Sequence, residues 1–359
     1  MMSIARTRSL VGRPLVSVVT PFFNTEAYLT ECISSVLSQS YDNFEYILLD
    51  NCSTDRSVAI VEEFAKRDAR IKLFHTDRFL TQLQNYNRAL RLISPESKYV
   101  KVVQADDAIF PRCLEEMTAL AEANPTVGII SGYRVLGSTL VPSGIPVEHT
   151  TLSGRETCRR CLLGEYSPFG TATTVMMRAD VVRQRKHFYQ EDRLFSDTDA
   201  MFEVLKDVDF GFVHQVLSFS RVESESISGR IDSYGPMLLA RTIRLSLFGR
   251  EYLTADECSR LLKEHERVYA RFLAEAWLRR REPELWDLHR RGLKAIGRRL
   301  EGAWGARDVF AVALHYALSP RLLISALRRR MRGMSSSATA EVVEPDRQTG
   351  EPSLSSIAT

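Results

Sequence analysis

The sequence has few of the features that define the simplest site classes. Its 359 residues include six cysteines, and Cys158 and Cys161 form a C-x-x-C without the second pair that a zinc site needs. We interpret them as two thiols on a helix or turn. The sequence also has neither a signal-peptide core nor a run of about 20 apolar residues that could span a bilayer. We therefore expect a cytoplasmic protein with reduced thiols.

Glycine is scarce where a nucleotide-binding loop would need it. The turn after the first predicted strand, residues 21–28, reads PFFNTEAY. A G-x-G-x-x-G turn or a G-x-x-x-x-G-K-[ST] loop holds phosphates against its backbone, and the sequence contains neither. A diphosphate ligand would have to be held differently, and a divalent metal bound by acidic residues at a strand end is the natural alternative.

The net charge of +3 is too small to indicate nucleic acid as a partner, but the charge is uneven. Residues 241–332 contain 21 Lys and Arg and 11 Asp and Glu, a balance of +10, which leaves −7 for the rest of the chain. Their last helical segment, 322–330 (LLISALRRR), could lie on an anionic membrane surface. The alternative is a helical bundle packed on the rest of the protein, with its arginines in solvent.

Short β-rich segments alternate with amphipathic helical stripes in the first 130 residues. The β-rich segments are 16–19, 44–49, 71–74, 99–103 and 127–130, and the helical stripes are 29–37, 58–64 and 83–93. Residues 24–25 (Asn-Thr) and 53–54 (Ser-Thr) are candidate caps of the first two helices. The alternation predicts an α/β fold with a mostly parallel central sheet flanked by helices.

Polar residues follow the carboxyl ends of three predicted strands, which form the ligand-binding edge of a parallel sheet. Thr20 and Pro21 end the first strand, Asp50 ends the second, and Asp106 and Asp107 follow the fourth. Adjacent carboxylates repel each other, and a cation such as Mg²⁺ or Mn²⁺ relieves this repulsion. Asp50 could accept a hydrogen bond from a pyrimidine imide. The alternatives are a helix cap for the pair and a cap or Asx-turn for Asp50.

Four segments in sequence order together resemble glycosyltransferase family 2. They are residues 16–24 (VSVVTPFFN), 50–55 (DNCSTD), 85–90 (NYNRAL) and 105–107 (ADD). The resemblance extends over about residues 14–230. It implies a GT-A fold and inverting transfer of a sugar from a nucleotide diphosphate, with Mg²⁺ or Mn²⁺ as cofactor. The acidic motif of the family often reads D-x-D, and here Gln104 holds its first position, so metal binding would depend on the two aspartates that follow.

The resemblance assigns further residues to the nucleotide side of the site. Thr20, Pro21 and Asp50 would line the nucleoside pocket, and Asp106 and Asp107 would hold the metal and the ribose or diphosphate. Three more residues on this side are Asn24, Arg78 and Asn87, the last as a brace.

The resemblance also indicates residues on the acceptor side. Thr171 lies in a segment expected beneath the acceptor, for which an ordinary loop and strand is the alternative. Arg221 is expected to contact the diphosphate, and a surface salt bridge is its alternative.

Inversion requires a base that removes the proton of the acceptor hydroxyl. By resemblance to the acidic dipeptide that precedes an apolar helix in the family, Asp197 is the predicted base. Ser196 replaces the usual Glu before it. Asp199 is a second candidate, and a helix-capping role for Asp197 is the third possibility.

The predicted organisation has four parts. Residues 1–13 are a flexible leader, 14–232 a GT-A catalytic domain, 233–333 a basic helical region and 334–359 a disordered tail. Within the catalytic domain, about 14–108 would bind the nucleotide and about 109–232 the acceptor.

The predicted function is transfer from a UDP- or dTDP-sugar to a glycan or lipid-linked acceptor in polysaccharide or cell-envelope biosynthesis. The enzyme would be cytoplasmic, with peripheral contact to the inner face of the membrane. A non-catalytic, glycosyltransferase-like binding subunit is the alternative, since Gln104 and Glu223 depart from the family pattern. A sugar-nucleotide synthesising transferase is disfavoured by the missing glycine-rich basic loop.

Overall fold

A computed structural model of the protein describes residues 12–221, 234–279 and 281–317, without the side chains of the last three. Several predicted features lie outside these residues: most of the leader, the tail 334–359, the basic segment 322–330 and Glu223. The predictions made for them therefore stay predictions.

Strands and helices alternate through the first part of the described chain, and helices alone follow residue 234. The strands are β1 (Val16–Phe22), β2 (Phe44–Asp50), β3 (Ile71–His75), β4 (Tyr99–Val102), β5 (Ala108–Ile109), β6 (Val127–Leu136), β7 (Thr139–Val141), β8 (Thr151–Leu152), β9 (Met176–Arg178) and β10 (Asp209–Ser220). The helices are α1 (Leu29–Leu37), α2 (Ser57–Ala65), α3 (Gln82–Leu90), α4 (Cys113–Ala123), α5 (Gly154–Leu163), α6 (Ala179–Arg183), α7 (Ser196–Val204), α8 (Pro236–Tyr252), α9 (Ala255–Leu278), α10 (Pro283–Ala295) and α11 (Ala306–Ala317).

The strands form one sheet in the order β3-β2-β1-β4-β9-β6-β10-β5, with β7 beside β6 and β8 beside β10. The pairs among β1 to β4 are parallel, and β9 runs against both of its neighbours, so β6 and β10 point the same way as β1. Six of the ten described strands therefore share one direction, which confirms the predicted mostly parallel sheet. The parallel strands β1 and β2 are buried along their whole length, as a sheet covered on both faces requires.

The first two loops at the carboxyl edge of the sheet hold each other through long-range hydrogen bonds. Asn24 Oδ1 accepts the N–H of Thr54 at 2.8 Å, and Glu26 and Asp55 each accept an N–H from the opposite loop. Residues 24–25 and 53–54 are therefore not the helix caps that we predicted. The N-caps are Tyr28 for α1 and Arg56 for α2, without capping side chains.

Helices pack on both faces of the sheet, and the C-terminal helices continue one of these layers. Phe248 and Tyr252 of α8 belong to the same hydrophobic cluster as the sheet residue Phe210. Phe248 stacks on Phe202 of α7 with ring centroids 5.1 Å apart. A separate cluster joins α8, α9 and α10. None of the described helices combines the length and the apolarity needed to cross a membrane.

A buried carboxylate connects β2 to the loop before β4. Glu45 accepts hydrogen bonds from Lys72 Nζ at 2.6 Å, from the Ser94 hydroxyl at 2.6 Å, and from the Ser17 hydroxyl. Burial alone would raise the pKa of Glu45, but these hydrogen bonds outweigh it and lower the pKa to about 2. The carboxylate therefore stabilises the folded state above its unfolded pKa of 4.5, and this contribution is lost as the pH falls towards 2.

Replacement of Glu45 by Gln is expected to lower the free energy of unfolding at pH 7 by roughly 1–3 kcal/mol, because it leaves buried donors without a charged acceptor. Denaturant titrations at pH 7 and pH 3 measure the effect, which should shrink at the lower pH. The exposed Glu63→Gln is the matched control. An equal loss in both variants would show that Glu45 has no special role.

Candidate active site

Asp107, the second residue of the acidic pair after β4, is buried. The Ser220 hydroxyl donates to its Oδ2 at 3.2 Å, and the backbone N–H of Arg221 donates to its Oδ1 at 3.3 Å. Burial raises the pKa of Asp107 to about 6; the Thr173 hydrogen bond opposes the rise, and the charge of Asp106 adds to it. The negative charge of ionised Asp107 is therefore only partly compensated by these hydrogen bonds.

This pair has the chemistry of a Mg²⁺ or Mn²⁺ site, because a divalent cation would compensate the buried charge. Within residues 12–221, 234–279 and 281–317, no group of three or more His, Cys, Asp or Glu side chains is arranged to hold a metal. Mg²⁺ is often bound by one or two carboxylates, and water and substrate phosphates fill the remaining positions. Asp106 and Asp107 therefore fit a metal that binds together with a diphosphate.

Asp50 ends β2 directly beside the end of β1, in register with Phe22. Its Oδ1 accepts the N–H of Ser53 at 2.9 Å, and its Oδ2 lies 3.3 Å from Nδ1 of the exposed His75. The bond from Ser53 reaches the residue three positions along the chain, whereas an Asx-turn joins residues two positions apart, so the Asx-turn that we named as an alternative is not formed. The N-cap of α2 is Arg56, so Asp50 does not cap that helix either. Since a carboxylate oxygen has two lone pairs, Oδ2 can still accept a hydrogen bond from a ligand.

Of the other residues predicted on the nucleotide side, Thr20 requires a correction. Its hydroxyl is fully buried and lies 3.0 Å from the hydroxyl of Tyr46, so its side chain faces the core. Pro21 is buried beside Leu49 at the end of β1. Asn24 contacts the opposite loop, as described above, and Arg78 is exposed in the connection between β3 and α3.

Asn87 on α3 holds the backbone of Tyr189 from both sides. Its Nδ2 donates to the Tyr189 carbonyl at 2.7 Å, and its Oδ1 accepts the Tyr189 N–H at 2.9 Å. Both the amide nitrogen and the amide oxygen of this buried side chain bind the backbone of Tyr189, which is the kind of contact expected of a brace. Tyr189 in turn lines the main cavity of the described structure.

This cavity has a volume of about 560 Å³ and lies between the sheet and the C-terminal helices. Asp197, Thr171 and Gln104 line it, together with residues of α8 and α10. Thr171 Oγ1 lies 3.5 Å from the hydroxyl of Ser220, which donates to Asp107. The acceptor-side threonine is thus joined to the acidic pair by a chain of two hydrogen bonds.

Asp197 lies in the first turn of α7, where its Oδ1 accepts the N–H of Thr198 at 2.7 Å. Burial raises its pKa, against the Thr198 N–H and the charge of Arg244. The N-cap of α7 is Phe195, in the left-handed region at φ 63°. Asp197 is therefore not the helix cap that we considered as an alternative.

Asp199, the second candidate base, is 1% exposed and does not line the cavity. Neither of its carboxylate oxygens has a hydrogen-bond partner among the described residues, and the nearest cation is Arg193, with 4.0 Å between Nη1 and Oδ2. Burial raises the pKa of Asp199 to about 7, although Arg193 and Arg244 oppose this rise. Asp199 is too enclosed to reach an acceptor hydroxyl.

Three arginines of the cavity were not found by the sequence analysis: Arg134, Arg193 and Arg244. Burial lowers the pKa of Arg134, and the charges of Asp107 and Asp197 oppose this shift without outweighing it. Arg134 therefore lies within electrostatic range of the acidic pair and of the candidate base. No motif marks it, because it is a single arginine towards the end of β6.

Arg221 directs its guanidinium to the start of α1. It pairs with Glu31 of α1 and lies over the ring of Tyr28 at 4.8 Å. Its backbone N–H, not its side chain, contacts Asp107. The salt bridge that we named as the alternative for Arg221 is therefore present in this structure.

Three non-glycine residues of the described chain have a positive φ: Asn24 at 48°, Cys52 at 64° and Phe195 at 63°. Non-glycine residues rarely adopt this conformation, and it tends to occur at functional sites. Two of the three follow the ends of β1 and β2, and the third precedes Asp197. The strained backbone therefore coincides with the loops of the candidate site.

Comparisons with solved structures identify the class of fold. The structure of S. aureus TarS residues 1–349 in complex with UDP-GlcNAc aligns over 86% of this chain and 88% of that chain, with a TM-score of 0.55 and 16% identity. The mannosyltransferase PcManGT from Pyrobaculum calidifontis, in complex with GDP-Man and Mn²⁺, aligns over 86% and 81%, with a TM-score of 0.50 and 16% identity. The fold is that of the GT-A glycosyltransferases.

Sequence comparison identifies the family. The profile for glycosyl transferase family 2 matches residues 17–185. Two uncharacterized glycosyltransferases of Haemophilus influenzae are each 30% identical to the chain. The first alignment covers 51% of this chain and 58% of the relative. The second covers 61% of this chain and 83% of the relative. The chain belongs to glycosyltransferase family 2, as the four motifs predicted.

Proposed function

We propose that the protein transfers a sugar, with inversion, from a UDP- or dTDP-sugar to a hydroxyl of a glycan or lipid-linked acceptor. The observation that carries this proposal is that Asp197, Thr171 and Arg134 line one cavity. Thr171 is connected through the hydroxyl of Ser220 to Asp107. Two acidic groups that lie about 90 residues apart in the sequence are thus connected to one cavity. A metal-bound diphosphate at Asp106 and Asp107 and an acceptor at Asp197 would be neighbours.

In this arrangement Asp197 removes the proton of the acceptor hydroxyl while the hydroxyl oxygen bonds to the anomeric carbon and the bond to the diphosphate breaks. A base for this step must be accessible, and Asp197 lines the cavity whereas Asp199 does not. Mg²⁺ or Mn²⁺ held by Asp106 and Asp107 would stabilise the negative charge of the leaving diphosphate. Asn87 holds in place the backbone of Tyr189, a residue that lines the cavity.

The proposed preference for uracil or thymine as the nucleobase of the donor depends on Asp50. Its Oδ2 is the atom that would accept the imide N–H of uracil or thymine, beside the backbone of Pro21 and Phe22. The structural neighbours bind a uridine nucleotide in one case and a guanosine nucleotide with Mn²⁺ in the other. They support a nucleotide-sugar donor and a divalent metal in this chain, and Asp50 favours uracil or thymine.

The cellular setting is also part of the proposal. A role in polysaccharide or cell-envelope biosynthesis, in the cytoplasm and at the inner face of the membrane, would suit the basic C-terminal region. The segment predicted to contact the membrane lies outside the described residues.

Donor binding can be tested by thermal unfolding with a panel of UDP-, dTDP- and GDP-sugars. We expect a UDP- or dTDP-sugar with Mn²⁺ to raise the melting temperature, because a ligand at about 100 times its Kd stabilises the folded state by roughly 2.7 kcal/mol. EDTA should reduce the shift. If no nucleotide sugar stabilises the protein with either metal, the proposed function is wrong.

A second measurement separates an enzyme from a binding subunit. Slow release of free sugar from the stabilising donor, dependent on Mn²⁺, is expected of an enzyme without its acceptor. Donor binding without any hydrolysis or transfer, with either metal and across an acceptor panel, would favour the non-catalytic alternative.

A further inference from the structure

The three tryptophans of the sequence converge on one surface pocket of the C-terminal helices. Trp277 lies near the end of α9, Trp286 in the first turns of α10, and Trp304 in the connection between α10 and α11. The ring centroids are 5.7 Å apart for Trp277 and Trp304 and 6.4 Å apart for Trp286 and Trp304. The pocket has a volume of about 260 Å³ and is completed by residues 300–302.

The three tryptophans line the pocket together. Trp286 and Trp304 are partly buried against the cluster that joins α8, α9 and α10. Trp277 and Trp304 are inclined by 46°, and Trp286 and Trp304 by 32°. Trp277 is 53% exposed. Full burial would stabilise the fold, since an aromatic side chain of this size buries roughly 150–250 Å². Three partly exposed tryptophans in one pocket indicate a surface that is covered by a ligand.

We propose that this tryptophan pocket binds a sugar ring of a glycan chain. The C–H groups on one face of a pyranose form a small apolar surface that packs against the electron-rich face of an indole. The hydroxyl groups around the ring need acceptors, and the exposed Glu301 is one of the residues that line the pocket. Aromatic walls with a few polar groups are the usual composition of a small-molecule site. The charged residue of this lining is an acid, which favours a neutral sugar over an anionic lipid.

The position of the pocket links it to the catalytic cavity through α10. Leu288 lines the cavity and Trp286 lines the tryptophan pocket, so the two sites use residues two positions apart on one helix. Such residues point about 200° apart around the axis, and a helix with its side chains is about 10–12 Å wide. A glycan of several units could pass around α10 and occupy both sites. This assignment of an acceptor glycan rests on the proposed function.

Intrinsic fluorescence reports on the pocket directly, because every tryptophan of the chain lies in it. The full-length protein is titrated with neutral gluco-, galacto-, manno- and N-acetylglucosamine oligomers of four to six units. A saturable change in emission is expected with at least one of them. Trp277→Ala should weaken that binding by roughly 2- to 12-fold, and Glu301→Gln should weaken it while all three indoles remain. Phe310→Ala, at an exposed aromatic residue outside the pocket lining, is the matched control and should bind normally.

Three outcomes would overturn the proposal: no saturable response to any oligomer, unchanged binding in both Trp277→Ala and Glu301→Gln, or a response to anionic phospholipid vesicles alone. The titration is repeated with Asp107→Asn, in which glycan binding should persist. The tryptophan pocket and the proposed catalytic function can therefore fail separately.

Discussion

Replacement of Asp197 by Asn is expected to lower kcat by roughly 10²–10⁴-fold while affinity for the nucleotide sugar stays within about a factor of two. The amide keeps the shape of the side chain but cannot take the proton of the acceptor hydroxyl. The Thr198 N–H contact to Oδ1 can persist with Asn, so the first turn of α7 should remain intact. Single-turnover rates and donor titrations measure the two quantities separately.

The pH profile provides a sharper test of the same residue. A base acts in its ionised form, and burial raises the pKa of Asp197 above its ordinary value of 3.8. The rate should therefore rise with pH through this raised pKa and level off above it. The variant should lose this dependence along with its activity.

The matched control for this experiment is Asp199→Asn. It removes a neighbouring carboxylate that does not line the cavity, so most of kcat should remain. Normal kcat in Asp197→Asn, with activity lost in Asp199→Asn, would show that the base is assigned to the wrong residue.

Replacement of Asp107 by Asn is expected to reduce kcat/KM by at least about 100-fold, mainly through weaker binding of Mn²⁺ and donor. Replacing a residue that hydrogen-bonds to a metal ligand typically lowers metal affinity or activity 10–100-fold. Replacing the ligand itself should lower them at least as much. Since the pKa of Asp107 is about 6, apparent Mn²⁺ affinity of the wild-type protein should fall below this pH as the carboxylate is protonated. The variant should lack this pH dependence.

The same substitution should not reduce the stability of the protein without ligand. A carboxylate whose folded pKa is raised binds its proton more tightly in the folded state, so its ionisation at pH 7 lowers the free energy of unfolding. The neutral Asn removes this cost. Ser40→Ala, which removes an exposed hydroxyl that donates to Glu115 on α4, serves as the surface control. An Asp107→Asn variant that keeps Mn²⁺-dependent donor binding would exclude Asp107 as a ligand.

The strands and helices could be predicted because their signals are local. The apolar stripe of α1 and the buried runs of β1 and β2 are visible in short windows. The helix caps could not be predicted from the sequence. The side chain of Asn24 accepts the backbone N–H of Thr54, which lies in another loop 30 residues away, so neither residue caps a helix. The position of β9 between β4 and β6 likewise depends on long-range pairing.

The acidic residues of the site were predictable because strand ends converge in a parallel sheet. Thr20 was assigned by the same rule, but its hydroxyl turns into the core towards Tyr46. Arg193 and Arg244 were missed because each is a single arginine in its own segment. They become part of one cavity when α8 packs beside α7, which no local pattern shows.

Anomalous scattering from Mn²⁺ in crystals grown with the stabilising nucleotide sugar tests the central claim most directly. We predict a Mn²⁺ ion within roughly 2.5 Å of a carboxylate oxygen of Asp106 or Asp107, with the sugar in the cavity that Asp197 lines. A donor bound elsewhere, or a metal bound away from these two aspartates, would contradict the account.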